Sequence, residues 1–235
     1  MSGNMSDEIK RQYVNYLFFK VDPAWRRLAR DERERGKGEF EGLIKDWKDR
    51  CMIIPFTTVG MRGDTDFMIW RISERLEDFT EMSTQLLNTG LGKWCATPVS
   101  FLGMTKRSMY VDKHEHPGSE GRRARIVPAE KKYLFVYPFW KTTEWYQLSK
   151  EERQQMMSVH IEAGHRYPGI KINTIYCFGL DDPEFIVAFE GDKPEEFLDL
   201  VMEMREHRVR KYTLRDTPIL TCIRGTISEV LATLG

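Results

Sequence analysis

CMIIPFTTVGMRGDTDFMIWRI, residues 51–72, and INTIYCFGLDDPEFIVAFE, residues 172–190, are the two stretches on which the fold turns. Each reads as an apolar run, a polar turn and a second apolar run. In the first, residues 51–59 are rich in Ile, Phe and Thr, Gly60 to Asp64 supply turn chemistry, and residues 65–72 alternate Phe67 and Ile69 with their neighbours. In the second, the turn Leu180-Asp181-Asp182-Pro183 separates strands at 172–179 and 184–190.

The flanks of the two hairpins also match. Before the first lies a strand at 12–21, QYVNYLFFKV, then a charged stretch whose Trp25, Leu28, Phe40, Leu43, Ile44 and Trp47 suggest an amphipathic helix. After it, Ser73 is placed to cap a helix through Leu76, Phe79, Met82 and Leu86, which Asn88, Thr89 and Gly90 stop; a last strand is expected at about 98–106. The second hairpin has a strand at 133–139 before it. A helix follows that strand, opened by Ser149 with Glu152 three places on, a capping box. Downstream come a helix from Pro194 to about His207 presenting Phe197, Leu200, Val201 and Met204, a strand at 219–223 and a short helix from Ser228.

Each half therefore has the order β-α-β-β-α-β, the split βαβ arrangement of ferredoxin-like domains. The expected organisation is an N-terminal half at 1–115, a linker at 116–130 containing Pro117, Gly118, Gly121 and the basic run Arg122, Arg123, Arg125, and a C-terminal half at 131–235. The fold class is α+β. Two antiparallel sheets, each covered by helices on one face, leave two open faces; packing these together gives a barrel-like core with helices outside. The cleft between one sheet and its helices is then the place for a flat apolar ligand.

Composition narrows the function. With 41% hydrophobic residues the chain can bury a real core, and 36 basic against 36 acidic residues give a net charge of zero. No global field draws it to nucleic acid or anionic lipid. The start of the sequence has no apolar run long enough for a signal peptide or a membrane span, so a cytoplasmic location is expected. Cys51, Cys95, Cys177 and Cys222 are scattered, without a CxxC pair or a histidine at ligand spacing, and read as small core residues rather than a zinc site.

His160 shares a helix face with Met156, Met157, Ala163 and Gly164, which turns its imidazole inward. Periodicity does not separate a core histidine from a ligand. Before it, in VYPFWKTTEWYQLSKEERQQMMSVH (residues 136–160), an aromatic strand carrying Tyr137 and Lys141 precedes the histidine helix. This segment, with GMRGDTDFMIW, TGLGKWCATPV, NTIYCFGLDDPEFIVAFE and the closing RDTPIL, resembles the chlorite dismutase superfamily over nearly the whole chain, and within it the coproheme decarboxylases, especially the actinobacterial branch.

The resemblance implies a function: hydrogen-peroxide-dependent oxidative decarboxylation of two propionates of iron coproporphyrin III (coproheme) to vinyls, giving heme b. His160 matches the proximal ligand of the porphyrin iron, whose opposite axial position stays open for the oxidant. Tyr137 matches the radical carrier, Lys141 falls where the family places a cation near the propionates, Arg210 is counted with Ile172 among the cofactor-binding positions, and Trp145 matches an auxiliary radical site. His114 matches a distal base for the peroxide proton, with His116 close enough to replace it. Ile172 or Asn173 stands where chlorite-degrading members carry an arginine, so chlorite dismutation is not expected; Ile172 fits the actinobacterial pattern better. Arg208, with Glu206 two places earlier, aligns where many relatives place a carboxylate on the proximal histidine, and loss of that carboxylate would weaken electron donation to iron. Heme or coproheme is the implied cofactor with no other metal, and a homopentamer the implied assembly. The alternatives are a heme carrier or sensor without turnover and a ligand-free dimerisation domain.

Overall fold

The computed structural model describes residues 10–110 and 125–235. Among the described residues there are nine strands and six α-helices, in the expected order apart from the additional α3 and β8. The first half contains β1 (Tyr13–Val21), α1 (Arg30–Asp46), β2 (Met52–Thr57), β3 (Phe67–Ser73), α2 (Glu77–Leu87) and β4 (Cys95–Met104). The second contains β5 (Tyr133–Lys141), α3 (Thr143–Gln147), α4 (Lys150–His165), β6 (Lys171–Tyr176), β7 (Phe185–Gly191), α5 (Pro194–Glu206), β8 (Thr213–Arg215), β9 (Leu220–Arg224) and α6 (Ile227–Ala232).

The strands of the first half lie in the order β4-β1-β3-β2 and those of the second in the order β6-β7-β5-β9. Both are the ferredoxin-like arrangement, antiparallel throughout. The two sheets then join edge to edge. β2 pairs with β9 through Phe56 and Thr57, and β4 pairs with β6 through Met104 opposite Tyr176, so the eight long strands close into a ring. Each half hands an edge to the other, leaving β8 as a short flap on β5. At the β4–β6 seam a Cβ on Gly103 would lie 2.7 Å from Cys177 Sγ and 2.8 Å from the Tyr176 carbonyl, so closure there requires glycine.

Alternation sorts the side chains. Val14, Tyr16 and Phe18 of β1, Met68, Trp70 and Ile72 of β3, Leu134 and Val136 of β5, Ile186 and Ala188 of β7, and Cys222 of β9 fill the ring. Tyr16 stacks on Trp70 there, with ring centroids 5.2 Å apart. Outside the ring the halves differ. The first half packs Phe19, Phe40, Phe67, Trp25, Met82 and Leu86 between sheet and helices, whereas the second has a smaller cluster of Phe135, Phe189, Phe197 and Leu200. α4 contributes Ala163 alone as a fully buried residue. The layer between sheet and helices is thus densely filled on one side and sparsely on the other.

Local expectations were met unevenly. Ser149 forms the capping box with Glu152 that starts α4. Ser73 does not cap α2: it ends β3, its hydroxyl donates to Asp78 Oδ2 at 2.5 Å, and the helix begins from Leu76 without a side-chain cap. The charged stretch after β1 is two elements, a 3-10 turn at Pro23–Arg27 holding the buried Trp25, then α1. α3 and β8 were not anticipated. Cys51, Cys177 and Cys222 are buried and Cys95 is half-buried, all as free thiols. No described helix is long and apolar enough to cross a membrane.

Candidate functional site

β5 makes the site by alternation. Leu134 and Val136 point into the ring, so Tyr133, Phe135 and Tyr137 take the outer face, where Phe197, Leu200, Val201 and Met204 of α5 pack, and the same alternation carries on to Phe139 and Lys141. Tyr137 stacks on Phe189 of the neighbouring β7 at 5.9 Å and 19°. Burial, and next the Asp216 carboxylate, push its phenol above the ordinary tyrosine range, while Arg205 and Arg210 pull the other way. The hydroxyl is therefore held protonated.

Lys141 ends the strand. Its backbone N–H donates to Glu184 Oε2 at 2.7 Å, and its ammonium lies 4.3 Å above the ring of Trp145, a fully buried residue of α3. Burial lowers its pKa to about 8, with Arg210 adding repulsion and Glu184 opposing. Trp145 in turn sits between Tyr110 and Tyr212, at 6.3 and 5.7 Å. The 3-10 turn Arg208–Tyr212 after α5 carries Arg210, whose Nη1 donates to Asp216 Oδ2 at 2.9 Å; Arg205 reaches the same oxygen at 2.8 Å. One carboxylate thus collects two guanidinium groups beside Tyr137.

His160 comes from α4. Its ring is half-buried, and Nδ1 is buried without a hydrogen-bond partner among the described residues. Burial, then Lys141 and His207, lower its pKa to about 4, so the imidazole is neutral across the physiological range. The expectation placed Arg208 or Glu206 beside this ring. Both are exposed, and the ring facing His160 is His207, 6.1 Å away at an interplanar angle of 79°. The turn that ends α5 rotates those two long charged side chains to solvent and brings the intervening histidine inward. Ile172 lies on β6 opposite Phe189, on the same outer face as Tyr137, and is 43% exposed. His114, its alternative His116, and Arg122 and Arg123 lie outside the described residues.

The fold therefore draws Tyr137, Lys141, Trp145, His160 and Arg210, spread over more than seventy positions of sequence, into one set of mutually interacting groups. Arg205, His207 and Asp216 belong to it as well and escaped the sequence reading. Their signal was the charge-dense run EMREHRVRKYTLRD, which reads as an ordinary solvated helix end. Two cavities, of 580 and 480 Å³, lie in the other half and flank α1; one is bordered by Gly38, Gly42 and Asn88, the other by Trp25, Lys93 and Trp94. They contain none of these groups. Among the described residues no cluster of three or more His, Cys, Asp or Glu side chains is arranged to hold a bare metal ion.

The donor set fits a metal delivered inside an organic frame. A single neutral imidazole supplies one ligand, which is too few for a bare ion but is the protein's usual share for a macrocycle-bound iron. Lys141, Arg205 and Arg210 are the cations that carboxylates at the rim of such a group would meet.

The chlorite dismutase family model matches residues 6–225. The coproheme decarboxylase of Mycolicibacterium smegmatis is 27% identical over 231 residues, covering 94% of each chain. Among solved structures, chlorite dismutase from Candidatus Nitrospira defluvii in complex with imidazole superposes with a TM-score of 0.85 at 24% identity, over 94% of both chains, which establishes the shared fold. The closed pair of ferredoxin-like halves and the family match over almost the full length agree, and the chain belongs to the chlorite dismutase family.

Proposed function

We propose that the chain binds iron coproporphyrin III through His160 and, with hydrogen peroxide, oxidatively decarboxylates two of its propionates to vinyls, yielding heme b. The observation that carries this is the convergence of a neutral imidazole, a protonated phenol and buried or carboxylate-paired cations on the helix-covered side of the second sheet. Held by His160, with Lys141 and Arg210 at its carboxylates, the iron porphyrin would supply one-electron redox chemistry with peroxide as the oxidant. Everything else falls to the chain. His160 keeps a lone pair free for iron because burial suppresses its protonation. Tyr137, held protonated, would release a proton and an electron together, the electron passing through the porphyrin to peroxide, and as a phenoxyl it would take a hydrogen atom from a propionate beside it; loss of carbon dioxide and of a second electron to the same peroxide, which leaves as water, gives the vinyl.

Lys141 and Arg210 are the propionate-binding cations in this reading, with Arg205 beside them. A buried ammonium whose proton is held weakly gains most from an arriving carboxylate, which restores a full ion pair in a site that excludes water. Trp145 seats that ammonium, and the cation opposes an indole radical cation, so positioning Lys141 is the first role of Trp145. His114 as distal base, the homopentamer and a cytoplasmic location rest on family resemblance. Ile172 puts an aliphatic group where chlorite-degrading relatives carry arginine.

The test is direct. Purified protein loaded with iron coproporphyrin III and titrated with hydrogen peroxide should give a monovinyl intermediate and then heme b by mass. The Tyr137→Phe variant should bind the porphyrin and form neither product; undiminished product from that variant would remove the assigned role. A second reading, a heme carrier or sensor without turnover, is favoured by the absence of a described carboxylate on His160 Nδ1. It predicts one porphyrin per chain, preference for heme b over coproheme, and no vinyl product.

A further inference from the structure

His160 and His207 each present a buried Nδ1 with no partner among the described residues, and their rings face each other perpendicularly at 6.1 Å. Buried polar atoms left unpaired are costly and rare in native proteins. Imidazoles complement one another. A neutral ring carries one N–H and one lone pair, so one histidine donates while the other accepts. A direct N–H···N bond places the ring centres ~5 Å apart and a single bridging water ~7 Å apart, given hydrogen bonds of ~2.9 Å. The observed spacing lies between the two.

We propose that His207 is the positioning residue for His160: it accepts the Nδ1–H of His160, directly or through one water, and thereby fixes the tautomer that leaves Nε2 free to ligate iron. The inference rests on the proposed porphyrin site and deepens it. A metal-bound histidine is normally oriented by the acceptor on its second nitrogen, and that acceptor sets how strongly the ring donates to the metal. Lys141 and His207 are the charged or titratable groups that act on His160, and neither is an anion. An imidazole acceptor polarises the N–H less than a carboxylate would. His160 is therefore a softer, less imidazolate-like ligand, and iron held by it is easier to reduce than iron held by a carboxylate-backed histidine.

Two measurements test this, one without porphyrin. In the apo protein, ¹⁵N chemical shifts of the His160 ring should report a single tautomer protonated at Nδ1. His207→Phe should mix the tautomers, and His207→Gln, which keeps an acceptor, should restore the single one. Unchanged ring shifts in His207→Phe would overturn the proposal whether or not the protein binds porphyrin. In the hemin-loaded protein, His207→Glu should lower the Fe(III)/Fe(II) midpoint potential and raise the ferrous iron–histidine stretching frequency, with His207→Gln close to wild type. Equal potentials and frequencies in all three loaded proteins would also overturn it. Failure of wild type to bind hemin would instead count against the site reading and leave the apo measurement to decide on His207.

Discussion

Neutralising His160 should be visible in the apo protein as acid sensitivity. Burial is the first cause of its lowered pKa, from 6.5 to about 4, with Lys141 and His207 adding repulsion. The folded state therefore resists protonation while the unfolded state accepts it below 6.5. Between those values the unfolded chain binds more protons, so stability rises with pH and is lost as pH falls from 6.5 toward 4. At one pKa unit per 1.36 kcal/mol, the linkage amounts to about 2 kcal/mol at pH 5 and about 3 kcal/mol once pH is below the folded value. Urea unfolding followed by tryptophan fluorescence at pH 8 and pH 5 measures it, with His160→Gln as the reference that lacks the group. Other titrations cancel in the difference between the two proteins. Wild type should lose about 2 kcal/mol more than the variant between the two conditions. Equal losses, or a larger loss in the variant, would refute the claim that the fold holds this imidazole neutral.

Other outcomes follow from the same geometry. Gly103→Val should destabilise by about 1–3 kcal/mol through overpacking at the β4–β6 seam, read as a lower urea midpoint at unchanged slope. Lys141, with a pKa of about 8, should react with an amine-selective reagent at pH 8 ahead of exposed lysines, and added coproporphyrin III should protect it; peptide mass mapping shows either. Arg210→Ala should weaken binding of iron coproporphyrin III more than hemin, because the tetracarboxylate has more to lose at the rim; equal weakening, by Soret titration, would remove Arg210 from the propionate site. Phe197→Ala should cost about 3–5 kcal/mol, read as a lower urea midpoint, since Phe197 stacks on Phe135 at 4.0 Å and packs tilted against Phe189 at 5.0 Å in the small core under the site.

Fold order was legible because period-2 runs bounded by turn residues survive in both halves, and because the capping box at Ser149 fixes the start of α4. The ring itself could be inferred only as two open faces seeking cover. Its seams, three residue pairs in all between β2 and β9 and between β4 and β6, leave no local signal beyond a glycine at 103. The Ser73 cap failed because the hydroxyl is taken by Asp78, a longer-range partner that no cap rule sees.

At the site, the Tyr137–Lys141 spacing on one strand face and the inward His160 were readable from alternation and helical period. The partners of those residues were not. Arg205, His207 and Asp216 gather where a helix, a 3-10 turn and a short strand meet, and at such junctions no sequence period says which side chain turns inward. The exchange of His207 for the expected Arg208 or Glu206 is a matter of one or two positions, decided by where α5 ends.

The central claim is that His160 ligates the iron of a bound porphyrin. Resonance Raman and absorption spectra of ferrous iron coproporphyrin III on wild type and on His160→Ala test it most directly. Wild type should show an iron–histidine stretch that vanishes in the variant and is replaced by an iron–imidazole band when free imidazole is supplied. An identical axial-ligand signature in both proteins, with no response to imidazole, would contradict it.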